Sequence, residues 1–305
     1  MKIKMLFLPV FILFTSSLSF AQTVDELFIS AFTKYQNKDY QGAVEDYTKV
    51  IAEKPDYGDA YFNRAIAFEQ LKQNDKAISD YTSLIALQPN DANAYFNRGM
   101  LYEAMEQYKI ALSDFNKSIE LNAELTNAVY RKAIIYGQLG ADSLALDNYF
   151  IYLAKNPDNV KVNFSLAQQY DRMEEYHSAI MYYTKVIQLD SGNAKAYFQR
   201  AYDNELIMKK QKAIDDYTRA IKCDPKYSDA YFNRGFMYNE DYEFEKAIAD
   251  YTKVIEIEPK SSDAYYNRGL AKANAGMKSD ACNDFMKAAE LGDKIALKYY
   301  KLNCK

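Results

Sequence analysis

Few residues in this sequence are suited to catalysis or to metal binding. Among its 305 residues there are one histidine, three cysteines and no tryptophan. His177 falls near the start of a predicted helix, where a solvated surface position explains it, and no two cysteines stand at the spacing of zinc ligands. A glycine-rich phosphate loop is also missing. The sequence therefore indicates a protein that is not an enzyme, and no cofactor or metal is expected.

Residues that break helices are scarce as well. The chain has ten glycines and six prolines, which for this length favours a helical protein. Positive charge is not in excess, because 38 lysines and arginines face 42 aspartates and glutamates. A net charge of −4 provides no general attraction to nucleic acid or to anionic lipid. Nucleic acid is therefore not expected as a partner.

The first 21 residues differ in composition from the rest of the chain. Lys2 and Lys4 precede an apolar run at 5–14, and the small Ala21 ends a pattern that signal peptidases cleave. The apolar run is short for a bilayer span. We expect residues 1–21 to be a signal peptide, so that the chain is exported to the periplasm or secreted, with no membrane insertion after its removal.

Several columns of residues recur every 34 positions. One is an unbroken column of alanines: Ala43, Ala77, Ala111, Ala145, Ala179, Ala213, Ala247 and Ala281. Four positions after each alanine comes an aromatic residue: Tyr47, Tyr81, Phe115, Tyr149, Tyr183, Tyr217, Tyr251 and Phe285. Upstream runs a column of alanine or glycine: Ala31, Ala65, Gly99, Ala133, Ala167, Ala201, Gly235 and Gly269. Self-similarity at a period of this size indicates stacked supersecondary units.

Each 34-residue repeat is predicted to contain two helices. In the second repeat, apolar residues recur at helical spacing within 59–71 and again within 76–87, with polar residues between them. Five of the repeats end in a proline, which cannot continue a helix. A small residue on each helix lets the two backbones approach closely, and the aromatic residues fill the volume around that contact.

This repeat resembles the tetratricopeptide repeat, a 34-residue helix–turn–helix with the pattern W-x2-L-G-x2-Y…A-x3-F…P. In the third repeat Tyr95 takes the place of Trp, followed by Gly99 and Tyr102. Ala111 and Phe115 form the A-x3-F pair of the same repeat. The resemblance implies an all-α fold.

The expected architecture is a right-handed α-solenoid of eight 34-residue helix–turn–helix repeats with a C-terminal capping helix. The solenoid is expected to span 22–305, with the capping helix at 294–303. The repeats are expected at about 24–57, 58–91, 92–125, 126–159, 160–193, 194–227, 228–261 and 262–293. The middle repeats depart from the pattern, because Asn163 holds an aromatic place and Ala123 and Ser191 replace prolines. Packing there is expected to be looser.

Arginine stands in five repeats where the family usually has leucine, and an aspartate follows sixteen residues later. The pairs are Arg64 and Asp80, Arg98 and Asp114, Arg200 and Asp216, Arg234 and Asp250, and Arg268 and Asp284. In the fourth and fifth repeats both residues are missing, which indicates that they touch. The arginine fork can hold a carboxylate with two hydrogen bonds. We interpret these residues as ion pairs between repeats, and the aspartate of the preceding repeat is an alternative partner. A ring of basic ligand contacts is the functional alternative.

A second aromatic column is never interrupted, and in the family the corresponding face of the first helix lines the concave surface. Asparagines that can hydrogen-bond a peptide backbone lie beside several of these rings. The candidate groove residues, including nearby cations, are Phe62, Asn63, Phe96, Asn97, Tyr130, Arg131, Lys161, Phe164, Arg172, Lys195, Phe198, Phe232 and Asn233. The rings can instead pack against neighbouring first helices and stay mostly buried, and both interpretations can hold at once.

We expect a scaffold that binds a peptide or partner protein in the concave groove. The alternative is a structural subunit of an envelope or secretion assembly that uses its convex face or its ends. Arg131, Lys161, Arg172 and Lys195 make the middle of the groove basic, which could select an acidic segment. A solvated charged surface is the other explanation for them.

The last expectation concerns the C-terminus. Cys282 lies ten residues before Gly292 and Cys304 lies twelve residues after it. Antiparallel helices that fold about Gly292 would bring the two cysteines within the bonding range of about 7 Å. We predict a disulfide between Cys282 and Cys304, with Cys223 free. Export would place this disulfide in an oxidising compartment.

Overall fold

A computed structural model describes residues Thr23–Cys304. Every regular element in this range is an α-helix, and there are seventeen of them, so the predicted all-α fold is confirmed. The predicted signal peptide at 1–21 lies outside the described residues. Among the described helices, none combines the length and the apolar character that a bilayer span requires.

The helices group into two compact units, of which unit 1 ends at Asn122 and unit 2 begins at Ala123. Unit 1 contains α1 (Val24–Gln36), α2 (Tyr40–Glu53), α3 (Gly58–Gln70), α4 (Asn74–Leu87), α5 (Ala92–Ala104) and α6 (Tyr108–Leu121). Unit 2 contains α7 (Thr126–Gln138), α8 (Asp142–Lys155), α9 (Val160–Arg172), α10 (Tyr176–Leu189), α11 (Ala194–Leu206), α12 (Lys210–Cys223), α13 (Ser228–Glu240), α14 (Phe244–Ile257), α15 (Ser262–Asn274), α16 (Lys278–Glu290) and α17 (Lys294–Asn303).

Within each unit, an odd-numbered first helix packs on the even-numbered second helix that follows it, and each such pair packs on the next. This is the arrangement of a helical solenoid, in which a repeat contacts only its neighbours. In unit 2, α8 and α9 contact each other at fewer positions than other helices that join successive repeats. Packing is therefore sparsest at this junction.

Small residues allow the two helices of a repeat to approach closely. Ala111 on α6 is fully buried, and so is the ring of Phe115 one turn later. A Cβ atom added to Gly99 would lie 2.9 Å from that ring, and one added to Gly269 would lie 2.8 Å from the ring of Phe285. No real Cβ contact is that short, so these two crossings require glycine.

The turn between the two helices of every repeat contains one residue in the left-handed conformation. It is a glycine in two repeats, Gly140 and Gly276, and another residue in six: Lys38, Lys72, Glu106, Glu174, Met208 and Tyr242. In the first repeat, Lys38 has a φ of 65°, and the N–H of Asp39 donates to the carbonyl of Lys34. This is the bond of a Schellman motif, which satisfies carbonyls at the end of a helix.

Asn163 shows how a departure from the repeat pattern is accommodated. Its side chain is 2% exposed, and its Nδ2 donates to the backbone carbonyls of Pro157 at 3.0 Å and Asn159 at 2.9 Å. The amide thus satisfies carbonyls of the turn before α9. A polar network thus stands where five other repeats have a tyrosine: Tyr61, Tyr95, Tyr197, Tyr231 and Tyr265.

The C-terminal helix α17 packs on α16, as expected for a capping helix. The carboxylate of Asp293 accepts hydrogen bonds from the first turn of α17, and the ring of Tyr299 lies 4.8 Å from that of Phe285. Cys282 and Cys304 form a disulfide with their Cα atoms 5.6 Å apart, which is the predicted pairing. Cys223 is free and exposed.

Candidate functional site

The second aromatic column lies along the first helices of each unit, and we call the surface that it marks the first-helix face. Its members are Phe28, Phe62 and Phe96 in unit 1 and Tyr130, Phe164, Phe198, Phe232 and Tyr266 in unit 2. Each ring packs against the aromatic residue of its own second helix, with ring centroids 5.3–6.2 Å apart. All of them except Tyr130 remain half-buried. These rings therefore pack on the second helix of their own repeat and also reach solvent.

Tyr130 differs from the prediction because it is only 7% exposed. Its ring lies 6.2 Å from Tyr149 and 5.7 Å from Tyr152, and its hydroxyl lies 3.0 Å from the Ser165 Oγ. Tyr152 stands where the other repeats have a smaller residue, so its ring encloses that of Tyr130. Tyr130 is a packing residue and offers no open ring to a ligand.

The groove asparagines already use donors inside the protein. Asn63 donates to the carbonyl of Asp59 in its own helix, and Asn233 donates to the hydroxyl of Tyr217 at 3.2 Å. Asn97 lies within hydrogen-bonding reach of the Tyr81 hydroxyl. Each amide keeps a carbonyl oxygen and a second N–H for other partners. Asn97 and Asn233 thus connect a first helix to the preceding repeat, whereas Asn63 is bonded within its own helix.

The tyrosine hydroxyls donate in turn to a column of acidic residues on the first helices. Tyr81 donates to Glu69 at 2.6 Å and Tyr217 to Glu205 at 3.0 Å. Burial raises the pKa of both glutamates, whereas the hydrogen bond from tyrosine lowers it. The first-helix face therefore carries half-buried carboxyl groups as well as rings.

The repeated arginines bind the aspartate of their own repeat, sixteen residues later. Arg98 holds Asp114 with two hydrogen bonds of 2.8 Å, and its third nitrogen donates to Thr82 of the preceding repeat at 3.1 Å. The same three contacts recur at Arg64, Arg200, Arg234 and Arg268. We call this set the arginine network.

The interpretation as ion pairs between repeats was wrong in one respect. The carboxylate belongs to the same repeat, and the neighbouring repeat supplies a threonine hydroxyl. A threonine sixteen residues before each arginine was a visible signal: Thr48, Thr82, Thr184, Thr218 and Thr252. In the first repeat, Ser30 and Lys34 take the place of arginine and bind Asp46 at 2.8 and 2.6 Å. Because these groups are mutually satisfied, they are structural rather than available to a ligand.

The predicted cations lie in different environments. Lys161 and Lys195 are exposed, Arg131 is half-buried, and the Lys161 Nζ lies 5.6 Å from the centre of the Tyr130 ring. Arg172 is exposed but donates to the carbonyl of Gly137 at 2.9 Å and to the side chain of Gln169. The guanidinium of Arg172, which is part of the expected positive charge, is thus already hydrogen-bonded within unit 2.

Two adjoining pockets open along the first helices of unit 2. One has a volume of about 470 Å³ and is lined by residues of α7, α8, α9 and α11, including Tyr149, Gln168 and Arg172. The other has a volume of about 400 Å³ and is lined by residues of α9, α10, α11 and α13, including Phe198 and Asn233. Both pockets are also lined by Asp171 and Gln199. Arg172, Phe198 and Asn233 were among the predicted groove residues.

The acid pair between these pockets, Asp171 and Asp203, was missed by the sequence reasoning. Asp203 is 2% exposed, and its carboxyl group lies within hydrogen-bonding reach of that of Asp171. Burial, and then the charge of Asp171, raise the pKa of Asp203 to about 8. Burial also raises the pKa of Asp171, which accepts a hydrogen bond from the Tyr183 hydroxyl. These two carboxyl groups therefore keep a proton to a higher pH than an isolated aspartate does.

A second exposed surface lies on α8. Phe150 is 43% exposed and Ile151 is 56% exposed. The residues equivalent to Ile151 in the other repeats are Lys49, Ser83, Lys117, Lys185, Arg219, Lys253 and Lys287. A large apolar side chain at a position that is otherwise polar marks a possible contact surface. We call Phe150 and Ile151 the α8 patch.

Five segments of the chain match models of the tetratricopeptide repeat: 33–92, 92–124, 160–193, 216–249 and 243–276. The chain matches no curated protein sequence at a significant level. Helical repeats of this kind are typical of scaffolds without enzymatic activity.

Several solved structures are similar. One crystal structure of MamA is 33% identical, with a TM-score of 0.53 over 57% of this chain and 95% of that chain. The C-terminal part of a TPR repeat-containing protein from Cytophaga hutchinsonii is 20% identical, with a TM-score of 0.71 over 79% and 98% of the two chains. PilW, a widely conserved type IV pilus biogenesis factor, is 19% identical, with a TM-score of 0.57 over 69% and 97%. The last two show a shared fold.

Proposed function

The chain belongs to the tetratricopeptide repeat family, and from this premise we propose that it is an interaction scaffold which binds an extended segment of a partner protein along the first-helix face of unit 2. Helical repeats commonly present such a face to a partner chain.

One observation carries the proposal. The two adjoining pockets of about 470 and 400 Å³ are lined by residues of helices between α7 and α13, and this stretch carries the half-buried rings of Phe164, Phe198 and Phe232. Half-buried rings such as Phe164 and Phe198 offer rigid apolar contact at a low cost in side-chain entropy. The pockets between them provide room for side chains of the bound segment.

We further propose that the chain is exported. The proposal is supported by the basic, apolar and small-residue pattern of residues 1–21. It is also supported by the Cys282–Cys304 disulfide, because such bonds persist in oxidising compartments. Cell fractionation with an antibody to the chain tests this, and retention of the full-length chain in the cytoplasm would contradict it.

Peptide binding is tested by selecting ligands from a phage-displayed library of random peptides. The double variant Phe164→Ala with Phe198→Ala should bind a selected peptide about tenfold or more weakly than the unchanged chain, since such rings act as hot spots. Phe150→Ala with Ile151→Ala is the matched control and should leave binding unchanged. Circular dichroism checks that both variants fold. Equal binding by the two double variants would contradict the proposal.

The α8 patch favours a second candidate, a structural subunit that assembles through its outer surface. This candidate predicts self-association or a fixed partner that Phe150→Ala with Ile151→Ala abolishes. Light scattering of the two double variants at several concentrations separates the candidates. A protein that stays monomeric and binds peptide through its first-helix face supports the first candidate, the peptide-binding scaffold.

A further inference from the structure

Asp203 occupies a position that is apolar in most repeats. The residues that align with it from the second repeat onward are Ala67, Leu101, Ile135, Gln169, Met237 and Ala271. Only 2% of Asp203 is exposed, and its Oδ2 has no hydrogen-bond partner among the described residues. A buried carboxylate without a partner is unfavourable, so a proton or a cation has to compensate this oxygen.

The neighbouring carboxyl group of Asp171 also has an oxygen without a hydrogen-bond partner among the described residues. The Tyr183 hydroxyl donates to its Oδ2, while Oδ1 lacks a donor within the described part of the chain. No lysine or arginine of Thr23–Cys304 pairs with either carboxyl group. Arg172, the next residue along the chain, directs its guanidinium to Gly137 and Gln169 instead. The two carboxyl groups can therefore share one proton but have no resident cation.

Aromatic rings complete the pocket into which Asp203 faces. Tyr176, Phe198 and Tyr202 line its volume of about 400 Å³, together with the amide of Asn233. Ring faces attract cations within about 6 Å of the ring centre. Unpaired carboxyl oxygens and aromatic walls in one pocket complement an organic cation.

We propose that this pocket, the Asp203 pocket, binds the ammonium group of a lysine side chain from the partner segment, a specificity that rests on the proposed function. An ammonium carries three N–H donors around one point of charge, which suits two carboxyl groups in a single pocket. A planar guanidinium suits a single carboxylate, as in the arginine network. The ammonium replaces the shared proton, which is released to solvent.

The titration of the site agrees with this exchange. Burial and the charge of Asp171 raise the pKa of Asp203 to about 8, so the pair holds a proton at neutral pH. The other titratable groups around the pair are Tyr176 and Tyr183 from α10 and Tyr202 from α11. Burial raises the pKa of Tyr176 and of Tyr183. Lysine binding should therefore strengthen as the pH rises.

The probe is butylammonium, the analogue of the lysine side chain, titrated into the full chain and followed by the backbone amide NMR signals of α11. We expect saturable shifts around Asp203 and none with the neutral isostere n-butanol. Affinity should rise by up to about tenfold per pH unit between about pH 6 and about pH 8, because one proton is displaced. Stronger binding of ethylguanidinium, or equal shifts with n-butanol, would overturn the assignment.

Asp203→Asn should weaken butylammonium binding by about tenfold or more. Asp147→Asn removes an exposed carboxylate from α8 and is the matched control, with unchanged affinity expected. Tyr202→Ala tests the aromatic wall, and because Tyr202 is 47% exposed its truncation should leave the fold intact. It should weaken binding several-fold. Unchanged affinity in both Asp203→Asn and Tyr202→Ala would overturn the proposal.

The same variants separate this inference from the proposed function. A selected peptide is compared with a version in which its lysine is replaced by norleucine. If both bind equally through Phe164 and Phe198, the lysine pocket is wrong and the scaffold proposal stands. If butylammonium occupies the pocket but no peptide binds the first-helix face, the scaffold proposal fails and the ammonium site stands.

Discussion

Unit 2 contains two regions that follow the same 34-residue pattern, helices α7–α10 and helices α11–α16. The side chains that join adjacent helices differ between these two regions. In α11–α16, Arg200, Arg234 and Arg268 each bind an aspartate and a threonine. In α7–α10, a fully buried Leu166 takes the place of an arginine, and Tyr182 takes the place of its aspartate and stacks on Tyr170.

The comparison shows that in α7–α10 the arginine and the aspartate of the network are replaced together. Lys132 has no aspartate to bind, and burial lowers its pKa. Asn148, in the place of the aspartate, donates to the carbonyl of Leu144 in its own helix. Charge-assisted bonds between helices give way to apolar packing and local bonds. The unpaired acids Asp171 and Asp203 lie where the two regions adjoin.

The largest expected effect comes from breaking the network in one region only. Asp250→Ala leaves the half-buried guanidinium of Arg234 without its carboxylate and should cost about 3 kcal/mol in the free energy of unfolding. Asn148→Ala, at the equivalent position of the other region, removes a neutral local bond and should cost about 1 kcal/mol. Urea unfolding measures both. Equal losses would show that the two regions do not differ in this way.

The disulfide strengthens the α11–α16 side of the comparison. Opening the loop of 22 residues between Cys282 and Cys304 should lower stability by about 3 kcal/mol at most in the chain-entropy model. The effect is the difference in the free energy of unfolding between the Cys304→Ser variant and the unchanged chain, both measured under oxidising conditions. Mass spectrometry of the non-reduced protein gives the matching check, and alkylation of all three cysteines would refute the bond.

A smaller effect depends on pH and comes from the boundary of the two regions. The pKa of Asp203 is about 8 in the folded protein against an ordinary value of 3.8, so between these values the folded state binds more protons than the unfolded chain. The free energy of unfolding should therefore fall as the pH rises between these values, with a limiting slope of about 1.4 kcal/mol per pH unit for one proton. Asp203→Asn should flatten this dependence, and a similar slope in both proteins would be the contrary outcome.

Hydrogen exchange compares the regions directly. Stability in a stack of repeats is roughly a sum of repeat and interface contributions, and among the junctions between successive repeats of unit 2 the one between α8 and α9 is packed most sparsely. Amides between about Ala123 and Ser191 should open with free energies lower by about 1 kcal/mol than those of α11–α14. Slower exchange in α7–α10 would reverse the comparison.

The smallest effect is the link between neighbouring repeats. A double-mutant cycle on Arg234 and Thr218 should give a coupling of about 0.5 kcal/mol, typical of a partly exposed hydrogen bond. A parallel cycle on Arg234 and Asp216 should give no coupling, since that carboxylate is held by Arg200. The opposite ranking would restore the aspartate of the preceding repeat as the partner.

The sequence predicted the helices well because each is marked by several residues in fixed columns. It placed arginine beside aspartate but not which aspartate, since four of the five arginines have one aspartate sixteen residues after them and another eighteen residues before them. The threonine column resolves this ambiguity only when it is considered together with the arginines. A covarying set of three residues is thus more informative than a pair.

The functional surface was less predictable than the helices. Asp203 was overlooked, although an acid in a mostly apolar column is visible in the sequence. Its pairing with Asp171 depends on the packing of α9 against α11, which the columns do not specify. Tyr130 was a groove candidate because its own column is aromatic, whereas its burial depends on the size of Tyr152. Neighbouring side chains decided both cases.

The left-handed turn residues bear on how such a chain can be redesigned. Six of the eight turns place a side chain other than glycine at a φ near 60°, and Met208 and Tyr242 are 90% and 81% exposed there. Because these side chains are so exposed, replacing them by glycine removes backbone strain with little loss of packing. These turns directly follow the first helices and are adjustable positions of the scaffold. An engineer could raise the melting temperature of the protein repeat by repeat without replacing any of the rings that mark the first-helix face.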